Sequence, residues 1–151
     1  MASQFSLIIA SAIDHGDVYV ANEDSGVAVW FPCGEMPEIA GYDDALAAAC
    51  GPHTPRFVEL DEEIHRARPT TPDHAYLALL AVDAPNQRRG LGSALLAAHH
   101  RRLDAEGMPA YLDASGVDSR RLYVRSGYVD HAEPYGPADR ADLYPMWRDP
   151  Q

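Results

Sequence analysis

Basic residues, cysteines and long apolar runs are all scarce in this chain of 151 residues. Twelve Lys and Arg stand against 23 Asp and Glu, which gives a formal net charge of −11. An acidic surface repels phosphate backbones, and no stretch is locally basic, so we expect no nucleic-acid partner. No apolar run approaches the roughly 20 residues of a membrane helix, and no basic segment introduces a signal peptide. The sequence therefore predicts neither a nucleic-acid binder nor a membrane protein.

The few metal-binding and redox-active side chains do not form a recognisable site. Cys33 and Cys50 are the two cysteines, and neither stands in a metal-type or redox-type spacing. This favours two free thiols in a reducing cytoplasm. His99 and His100 share no helix face with a third ligand, so we expect them at the surface and no metal site. With 46% hydrophobic residues, the chain can form a single domain, 1–151, around its own core.

The first 31 residues predict a β-hairpin that follows a short apolar segment. Residues 5–13 are apolar and fit either a strand or the end of a helix, because the segment is too short for periodicity to decide. Residues 18–21 and 27–31 have the composition of two strands joined by a polar loop.

Two helices are expected in the acidic, proline-rich stretch that follows. One runs from Asp43 or Asp44 to residue 50. The other covers 56–68, where Phe57, Leu60 and Ile64 fall on one face. The acidic residues of the second helix form either its solvated side or a patch that faces a substrate; they are Glu59, Asp61, Glu62 and Glu63.

Strands and helices alternate in the second half of the chain. Residues 74–82 form a nearly continuous apolar run, as expected of a strand buried on both faces. A helix over 91–105 ends before Gly107. Shorter elements follow, with strands at 110–114, 128–129 and 143–148 and a helix at 119–126. This order predicts an α/β sheet with helices packed on it.

A glycine-containing loop, 87–93, lies between the buried strand and the long helix. A helix start presents unpaired backbone N–H groups, and Gly90 and Gly92 allow a ligand to approach the backbone closely. Arg88 and Arg89 add positive charge, so the loop suits a phosphate or pyrophosphate. The same residues also fit a tight strand-to-helix turn with surface arginines.

Three segments in this half resemble one known family. Residues 87–96 resemble the acetyl-CoA pyrophosphate loop of the GNAT superfamily of N-acetyltransferases, with the pattern Q/R-x-x-G-x-G/A. Residues 109–115 and 122–128 resemble the family's next strand and its L-Y-x-x-x-G-F helix. The similarity runs from about Gly16 to the C-terminus and is nearest in its motifs to the puromycin N-acetyltransferase-like subgroup. It implies a mixed, largely antiparallel central sheet with flanking helices, lacking most of the usual N-terminal strand and helices.

The resemblance implies a reaction and a binding site. The acetyl group of acetyl-CoA would move to a primary amine of a small molecule by direct attack in a ternary complex. Backbone groups of Leu80, Ala81 and Val82 would pair with the pantetheine arm, and the Val82 N–H would stabilise an oxyanion. Amides of the loop would hold the pyrophosphate, while Ser119 stands where the family often has Asn. Arg120, Arg121 and Arg125 fit either a contact with the 3′-phosphate or solvated surface positions. The residues expected to contact the cofactor beyond the strand are Gln87, Arg88, Arg89, Gly90, Leu91, Gly92, Ser93, Ser119 and Arg125.

Tyr123 matches the tyrosine that acts as general acid in the family. A phenol has an ordinary pKa near 10, which suits proton transfer to a leaving thiolate. His74 is the first choice for the base, although its place at the start of a strand also fits a solvent-facing histidine. Asp113 and His65 are the other candidates, and water is an alternative to all three.

A non-catalytic module that binds acyl-CoA and has a regulatory or scaffolding role is the alternative function. Two features favour this alternative. Ser119 replaces the Asn that the family often has, and only about fifteen residues precede the hairpin. Three explanations of that short segment stand side by side: residues 5–13 substitute for the usual wall of the acceptor site, a second subunit covers the exposed sheet edge in a homodimer, or the recorded chain starts late.

Overall fold

A mixed sheet forms the centre of the computed structural model, which describes residues 2–21, 24–33, 38–137 and 142–151. Within these residues six strands follow the spatial order β1-β2-β3-β4-β6-β5, and every neighbouring pair is antiparallel except β3 and β4. The expectation of a mixed, largely antiparallel sheet is confirmed. The strands are β1 (Asp17–Ala21), β2 (Gly26–Pro32), β3 (Ala75–Val82), β4 (Ala110–Ser115), β5 (Val129–Asp130) and β6 (Leu143–Arg148).

Helices cover both faces of this sheet. Alternate residues of a strand point to opposite faces, and Ala28 and Trp30 of β2 belong to one core cluster while Val29 and Phe31 belong to another. The helices α4 and α5 pack on the first face, and α1 packs on the second, with α2 against it. The five helices of the described residues are α1 (Ala2–His15), α2 (Tyr42–Cys50), α3 (Thr54–Ala67), α4 (Leu91–Glu106) and α5 (Val117–Arg125).

The apolar segment near the N-terminus is a helix rather than a strand. Residues 5–13 lie inside α1, where Ile8 and Ala12 are buried one turn apart against β2. The chain turns into β1 at Gly16, where a Cβ atom would collide with the carbonyl oxygen of Trp30. A helix therefore covers this face directly before the hairpin, and β1 is left at one edge of the sheet.

The prediction that His99 and His100 lie at the surface is wrong. They are 2% and 6% exposed, because the buried stripe of α4 passes through both of them as well as Leu95, Leu96 and Leu103. His99 stacks on Trp30 with ring centroids 4.4 Å apart. Each imidazole also has a hydrogen bond to a phenol, His99 with Tyr19 and His100 with Tyr128, at 3.0 Å in both pairs. These phenols let the two imidazoles take core positions, since a buried polar group must be hydrogen-bonded.

Candidate active site

The sheet opens between β3 and β4. From Ala75 to Val82 β3 pairs with β2 at every residue but one, whereas it pairs with β4 only at Ala75 with Ala110 and at Tyr76 with Tyr111. The second half of β3 is consequently only half-buried, so the expected burial on both faces holds for its first residues alone. A strand edge that has lost its neighbour presents N–H and C=O groups to whatever enters the gap.

Two of the three expected strand positions turn their peptide groups toward this gap. The Asp83 N–H donates to the Ser25 carbonyl at 3.0 Å, so it points toward β2. Backbone directions alternate along a strand, which turns the peptide groups of Leu80 and Val82 away from β2 and those of Ala81 toward it. The edge thus offers the N–H and C=O groups of Leu80 and the N–H of Val82 to a pantetheine arm, as a further strand would use them.

A β-bulge interrupts β3 where the gap begins. Val29 pairs with Leu79 and Trp30 with Leu77, which leaves Ala78 without a partner on β2. The extra residue reverses the alternation of side chains, so that Ala78 and Leu79 both contact the cluster beneath α1. Sequence reasoning missed this feature, because the apolar run 74–82 carries neither glycine nor proline to mark a bulge.

The loop 87–93 ends in a helix start that no side chain caps. The N-cap of α4 is Gly90, in the left-handed region at φ 86°, and Arg88 is also left-handed at φ 60°. The first N–H groups of the helix therefore lack a side-chain partner and carry the positive end of the helix dipole. Leu91 is half-buried there, while the side chains of Arg88, Arg89 and Ser93 are exposed around this terminus. The site fits a phosphate-bearing ligand.

Gly92 supports the same conclusion. It lies in the first turn of α4, and a Cβ atom on it would meet the Leu122 side chain at an ordinary 3.5 Å. Neither the backbone conformation nor the packing of the protein requires glycine at this position. A ligand that approaches the helix start closely is a sufficient reason for it.

Two side chains of the loop hold the loop itself together. Gln87 donates from its side-chain amide to the Val82 carbonyl at 3.0 Å, and Arg89 donates to the Asn86 side chain at 3.1 Å. The Gln87 side chain thereby fixes the loop to the end of β3, and its backbone N–H donates to the Ala84 carbonyl at 3.4 Å.

Tyr123 lies on the inner side of α5 and is 8% exposed. Its ring meets that of Tyr128 edge-on, with centroids 5.8 Å apart, and its hydroxyl makes no hydrogen bond to another described residue. Burial, followed by the influence of Tyr76, raises the Tyr123 pKa to about 12. The phenol is therefore protonated at neutral pH and can donate a proton but not accept one.

Asp113 belongs to a group of tyrosines beside the gap. Its Oδ1 accepts a hydrogen bond of 2.8 Å from Tyr111, whose ring stacks with that of Tyr76. Its Oδ2 is buried, and the Tyr135 hydroxyl lies next to this carboxylate. Burial raises the Asp113 pKa above its ordinary value, which makes this carboxylate a stronger base than an exposed one.

The structure does not bring His74 to the other candidates. His74 precedes β3, about 13 Å along the strand from the bulge at roughly 3.3 Å per residue. Its Nδ1 lies 2.8 Å from the Pro72 carbonyl, and its ring packs against Tyr111 and Trp147. It lines a different cavity, which lies between the start of β3 and the end of α4.

Most of the α5 side chains considered for cofactor binding form hydrogen bonds or ion pairs with other residues of the protein. The Ser119 hydroxyl donates to the Gly116 carbonyl at 2.9 Å, which fixes the turn that begins the helix. Arg120 forms an ion pair with Asp130, and Arg121 with Asp118. Arg125, in the last turn, is exposed and has no ion pair within the described residues. Arg125 is the arginine of this helix that is available to a phosphate.

A cavity of about 500 Å³ lies on the α1 side of the gap. Tyr76 and Ala78 form its floor, and α1 and α3 form its walls. Of the base candidates, His65 lines it. The cavity also contains Asp61, whose Oδ2 accepts a hydrogen bond of 3.0 Å from Tyr42.

Sequence reasoning placed Asp61 among undifferentiated acidic residues. Its helical spacing was the missed signal, because Asp61 lies four residues after Phe57 and three before Ile64, on the apolar face of α3. Burial raises the Asp61 pKa, whereas the hydrogen bond from Tyr42 lowers it. Asp61 thus faces a cavity rather than bulk water.

No His, Cys, Asp or Glu cluster in the described ranges is arranged to hold a metal ion. Both cysteines are free thiols. Over the same residues no helix combines the length and the apolar character needed to cross a membrane.

Comparisons with known proteins agree with this geometry. The family model of the acetyltransferase (GNAT) domain matches residues 61–148, which is more than half of the chain. A histone acetyltransferase HPA2 and related acetyltransferase from Corynebacterium glutamicum superposes with a TM-score of 0.63 at 22% identity, over 99% of this chain and 76% of that one.

Two further solved structures share the fold. Mosquito arylalkylamine N-acetyltransferase like 5b gives a TM-score of 0.67 at 16% identity, over 99% of this chain and 81% of its own. The NatB acetyltransferase complex, solved bound to CoA, gives a TM-score of 0.52 at 14% identity. The match covers 99% of this chain and 82% of that one. The chain belongs to the GNAT acetyltransferase domain family.

Proposed function

We propose that this protein is an acetyl-CoA-dependent N-acetyltransferase that modifies a primary amine of a small molecule. The observation that carries the proposal is the free edge of β3 beside the uncapped start of α4. The free strand edge suits a peptide-like arm such as pantetheine, and the uncapped helix start suits a pyrophosphate. The motif similarity to the puromycin N-acetyltransferase-like subgroup supports a small-molecule acceptor.

Acetyl-CoA, when bound, supplies a thioester whose carbonyl carbon the amine attacks. We expect the peptide groups of Leu80, Ala81 and Val82 to line the pantetheine arm, with the Leu80 and Val82 groups facing it. The N–H of Val82 is a donor for the developing oxyanion. The amides of 88–93 hold the pyrophosphate, while Gln87 supports the loop through its side chain, and Arg125 is the candidate for the 3′-phosphate.

The proposed proton transfers use two side chains beside the gap. As the C–N bond forms and the C–S bond breaks, Tyr123 donates its proton to the departing sulfur. The attacking nitrogen gives up a proton, and Asp113 is the stronger candidate to take it, because it lies beside the gap with a raised pKa. His74 is a weaker candidate, since it lines a different cavity.

Release of CoA tests the proposal. The protein is incubated with acetyl-CoA and a panel of primary amines, free thiol is followed with a chromogenic disulfide, and products are weighed by mass spectrometry. Amine-dependent thiol release with an acetylated product supports the enzyme. Saturable acetyl-CoA binding without release from any amine would favour the non-catalytic module, and absence of binding would contradict both.

A further inference from the structure

Among the described residues, the apolar face of α3 is not packed into either core cluster. Phe57, Leu60 and Ile64 lie at helical spacing, as in a helix that packs on a core, yet none of the α3 residues is buried. These side chains line the 500 Å³ cavity instead, opposite Phe5 and Ile8 of α1. An apolar stripe that faces a cavity of ligand size calls for a ligand with an apolar body.

Asp61 places one carboxylate among these apolar groups. It is half-buried on the same face of α3, and the Tyr42 hydroxyl holds its Oδ2 at 3.0 Å. A carboxylate in apolar surroundings is stabilised by a cation that reaches it. The net charge of −11 attracts cationic ligands to the protein as a whole.

Two basic side chains, His65 and Arg68, also line the cavity. His65 is exposed at its rim, and the Arg68 guanidinium lies over the Tyr76 ring, 3.8 Å from the centroid. Arg68 therefore puts positive charge beside the floor, and Asp61 is the carboxylate among the described residues that line the cavity. A cationic ligand has one favourable place in this cavity, at Asp61.

The cavity adjoins the place where transfer would occur. Ala78, the bulged residue, and Tyr76, the last residue of β3 that pairs with β4, both belong to the cavity floor. A ligand in the cavity therefore has its end next to the gap that receives the acetyl group.

From this geometry we propose that the cavity takes a primary amine with an aromatic or bulky apolar body, and that Asp61 holds its ammonium group before transfer. The inference rests on the proposed function and names the acceptor class of the same site. Asp61 acts here as a specificity-determining residue, and the apolar stripe of α3 holds the body of the amine.

A matched pair of amines tests the class. 2-Phenylethylamine and ethanolamine are both short primary amines, but only the first has an apolar body. We expect kcat/KM for 2-phenylethylamine to exceed that for ethanolamine by at least about tenfold, because the phenyl group leaves water for the α3 stripe. Equal values, or a preference for ethanolamine, would overturn the apolar part of the inference.

A matched pair of variants tests Asp61. Asp61→Asn and Glu62→Gln remove one charge each from neighbouring positions of α3, but Glu62 is exposed and does not line the cavity. We expect Asp61→Asn to raise KM for 2-phenylethylamine about tenfold and to leave kcat within about twofold, while Glu62→Gln changes neither. A fall in kcat with unchanged KM would overturn the anchoring role.

Direct binding separates this inference from the proposed function. Calorimetry of 2-phenylethylamine and of its neutral isostere 2-phenylethanol, each with CoA present, needs no turnover. The amine is expected to bind wild-type protein more tightly than the alcohol, and Asp61→Asn is expected to remove the difference. Thiol release from ethanolamine but not from 2-phenylethylamine, with no binding of the latter, would overturn this inference and leave the proposed function intact. Binding as expected without thiol release from any amine would overturn the proposed function and leave the binding preference of the cavity intact.

Discussion

Tyr76 of β3 and Tyr111 of β4 form the last rung at which these two parallel strands pair, and their rings stack with centroids 6.1 Å apart. Beyond this rung β3 stays with β2 alone. The two aromatic residues therefore mark the apex of the gap. The free edge of β3, Asp113 and the 500 Å³ cavity all adjoin that apex.

Gly92 is expected to matter for ligand binding and not for folding. Gly92→Ala should leave thermal stability unchanged or raise it, because alanine is favoured over glycine in a helix by roughly 1 kcal/mol and a Cβ meets only ordinary contacts. Acetyl-CoA affinity should fall about tenfold or more, as the methyl group hinders the approach of phosphate. A thermal melt and a calorimetric titration check the two effects.

Gly107→Ala is the matched control for Gly92→Ala. Gly107 caps the other end of α4 at φ 65°, where a side chain is strained. Its replacement should lower stability by about 1 kcal/mol and leave acetyl-CoA affinity unchanged. If Gly92→Ala behaves like this control, glycine at position 92 serves the fold.

Removal of the Tyr123 hydroxyl is expected to slow the chemical step. Tyr123→Phe should lower kcat about 100-fold or more, within the usual contribution of a general acid, and leave acetyl-CoA affinity nearly unchanged. Steady-state kinetics with a good amine and a binding titration provide the two readouts.

Tyr128→Phe controls for the loss of a buried phenol next to Tyr123. The Tyr128 hydroxyl has a hydrogen bond to His100 at 3.0 Å, so this variant should lose roughly 1 kcal/mol of stability and keep its kcat. An unchanged kcat in Tyr123→Phe would exclude Tyr123 as the acid.

The two buried histidines of α4 are expected to make folding stability depend on pH. Burial lowers the pKa of both His99 and His100 from 6.5 to about 4, so the unfolded chain binds more protons than the native protein between these values. Their stabilising contribution is complete above pH 6.5 and declines as pH falls toward 4, by about 1.4 kcal/mol per pH unit for each histidine. Urea denaturation at pH 7.5 and pH 5.0 measures the difference.

His99→Gln should remove part of this pH dependence. His53→Gln, at an exposed position between α2 and α3, is the control for the loss of a histidine that is not buried. The charged groups that face the two imidazoles, Asp17, Arg102 and Glu106 for His99 and Asp104 and Arg148 for His100, are present in both variants. Equal stability of the wild-type protein at the two pH values would contradict the buried, neutral state of the histidines.

The pair of Arg148 and Asp104 is expected to contribute strongly to stability. Arg148 donates two hydrogen bonds to the Asp104 carboxylate, at 2.7 and 2.9 Å, from a buried position at the end of β6. Asp104→Asn leaves the buried guanidinium without its counter-charge and should cost about 3 kcal/mol of unfolding free energy. Glu106→Gln, which breaks only the exposed pair with Arg102, should cost less than about 1 kcal/mol.

The Asp104 contribution to stability also depends on pH, but for a different reason from that of the histidines. Here the charged form of the group is stabilised, whereas burial disfavours the charged form of the histidines. The bonds from Arg148 lower the Asp104 pKa from 3.8 to about 2. Its contribution is therefore present above pH 3.8 and is lost only as pH falls through 2. It does not contribute to the change between pH 7.5 and 5.0, so urea midpoints of Asp104→Asn at those two values should shift in parallel with the wild type.

The sequence predicted the elements whose local signals agree with their tertiary use. Gly90 and Gly107 bound α4 as expected, and the stripe of Phe57, Leu60 and Ile64 correctly indicated a helix, found at Thr54–Ala67. The order of strands and helices in the second half was likewise correct, because buried strands and capped helices differ in composition as well as in period.

What the sequence did not reveal depends on contacts between distant residues. His99 and His100 are buried because Tyr19 and Tyr128, from other elements, satisfy their nitrogens. The bulge at Ala78 follows from the register of β2 against β3, and residues 74–82 alone do not encode that register. The placement of Asp61 in a cavity depends on where α3 lies relative to α1.

The measurement that tests the central claim most directly is amide hydrogen exchange at single-residue resolution, with and without acetyl-CoA. The account places the arm on the free edge of β3 and the pyrophosphate on the start of α4, so acetyl-CoA should slow exchange at Leu80, Val82 and residues 88–93. The amide of Ala81, which points toward β2, serves as the internal reference. Protection confined to other parts of the chain, with exchange at these amides unchanged, would contradict the proposed acetyl-CoA site.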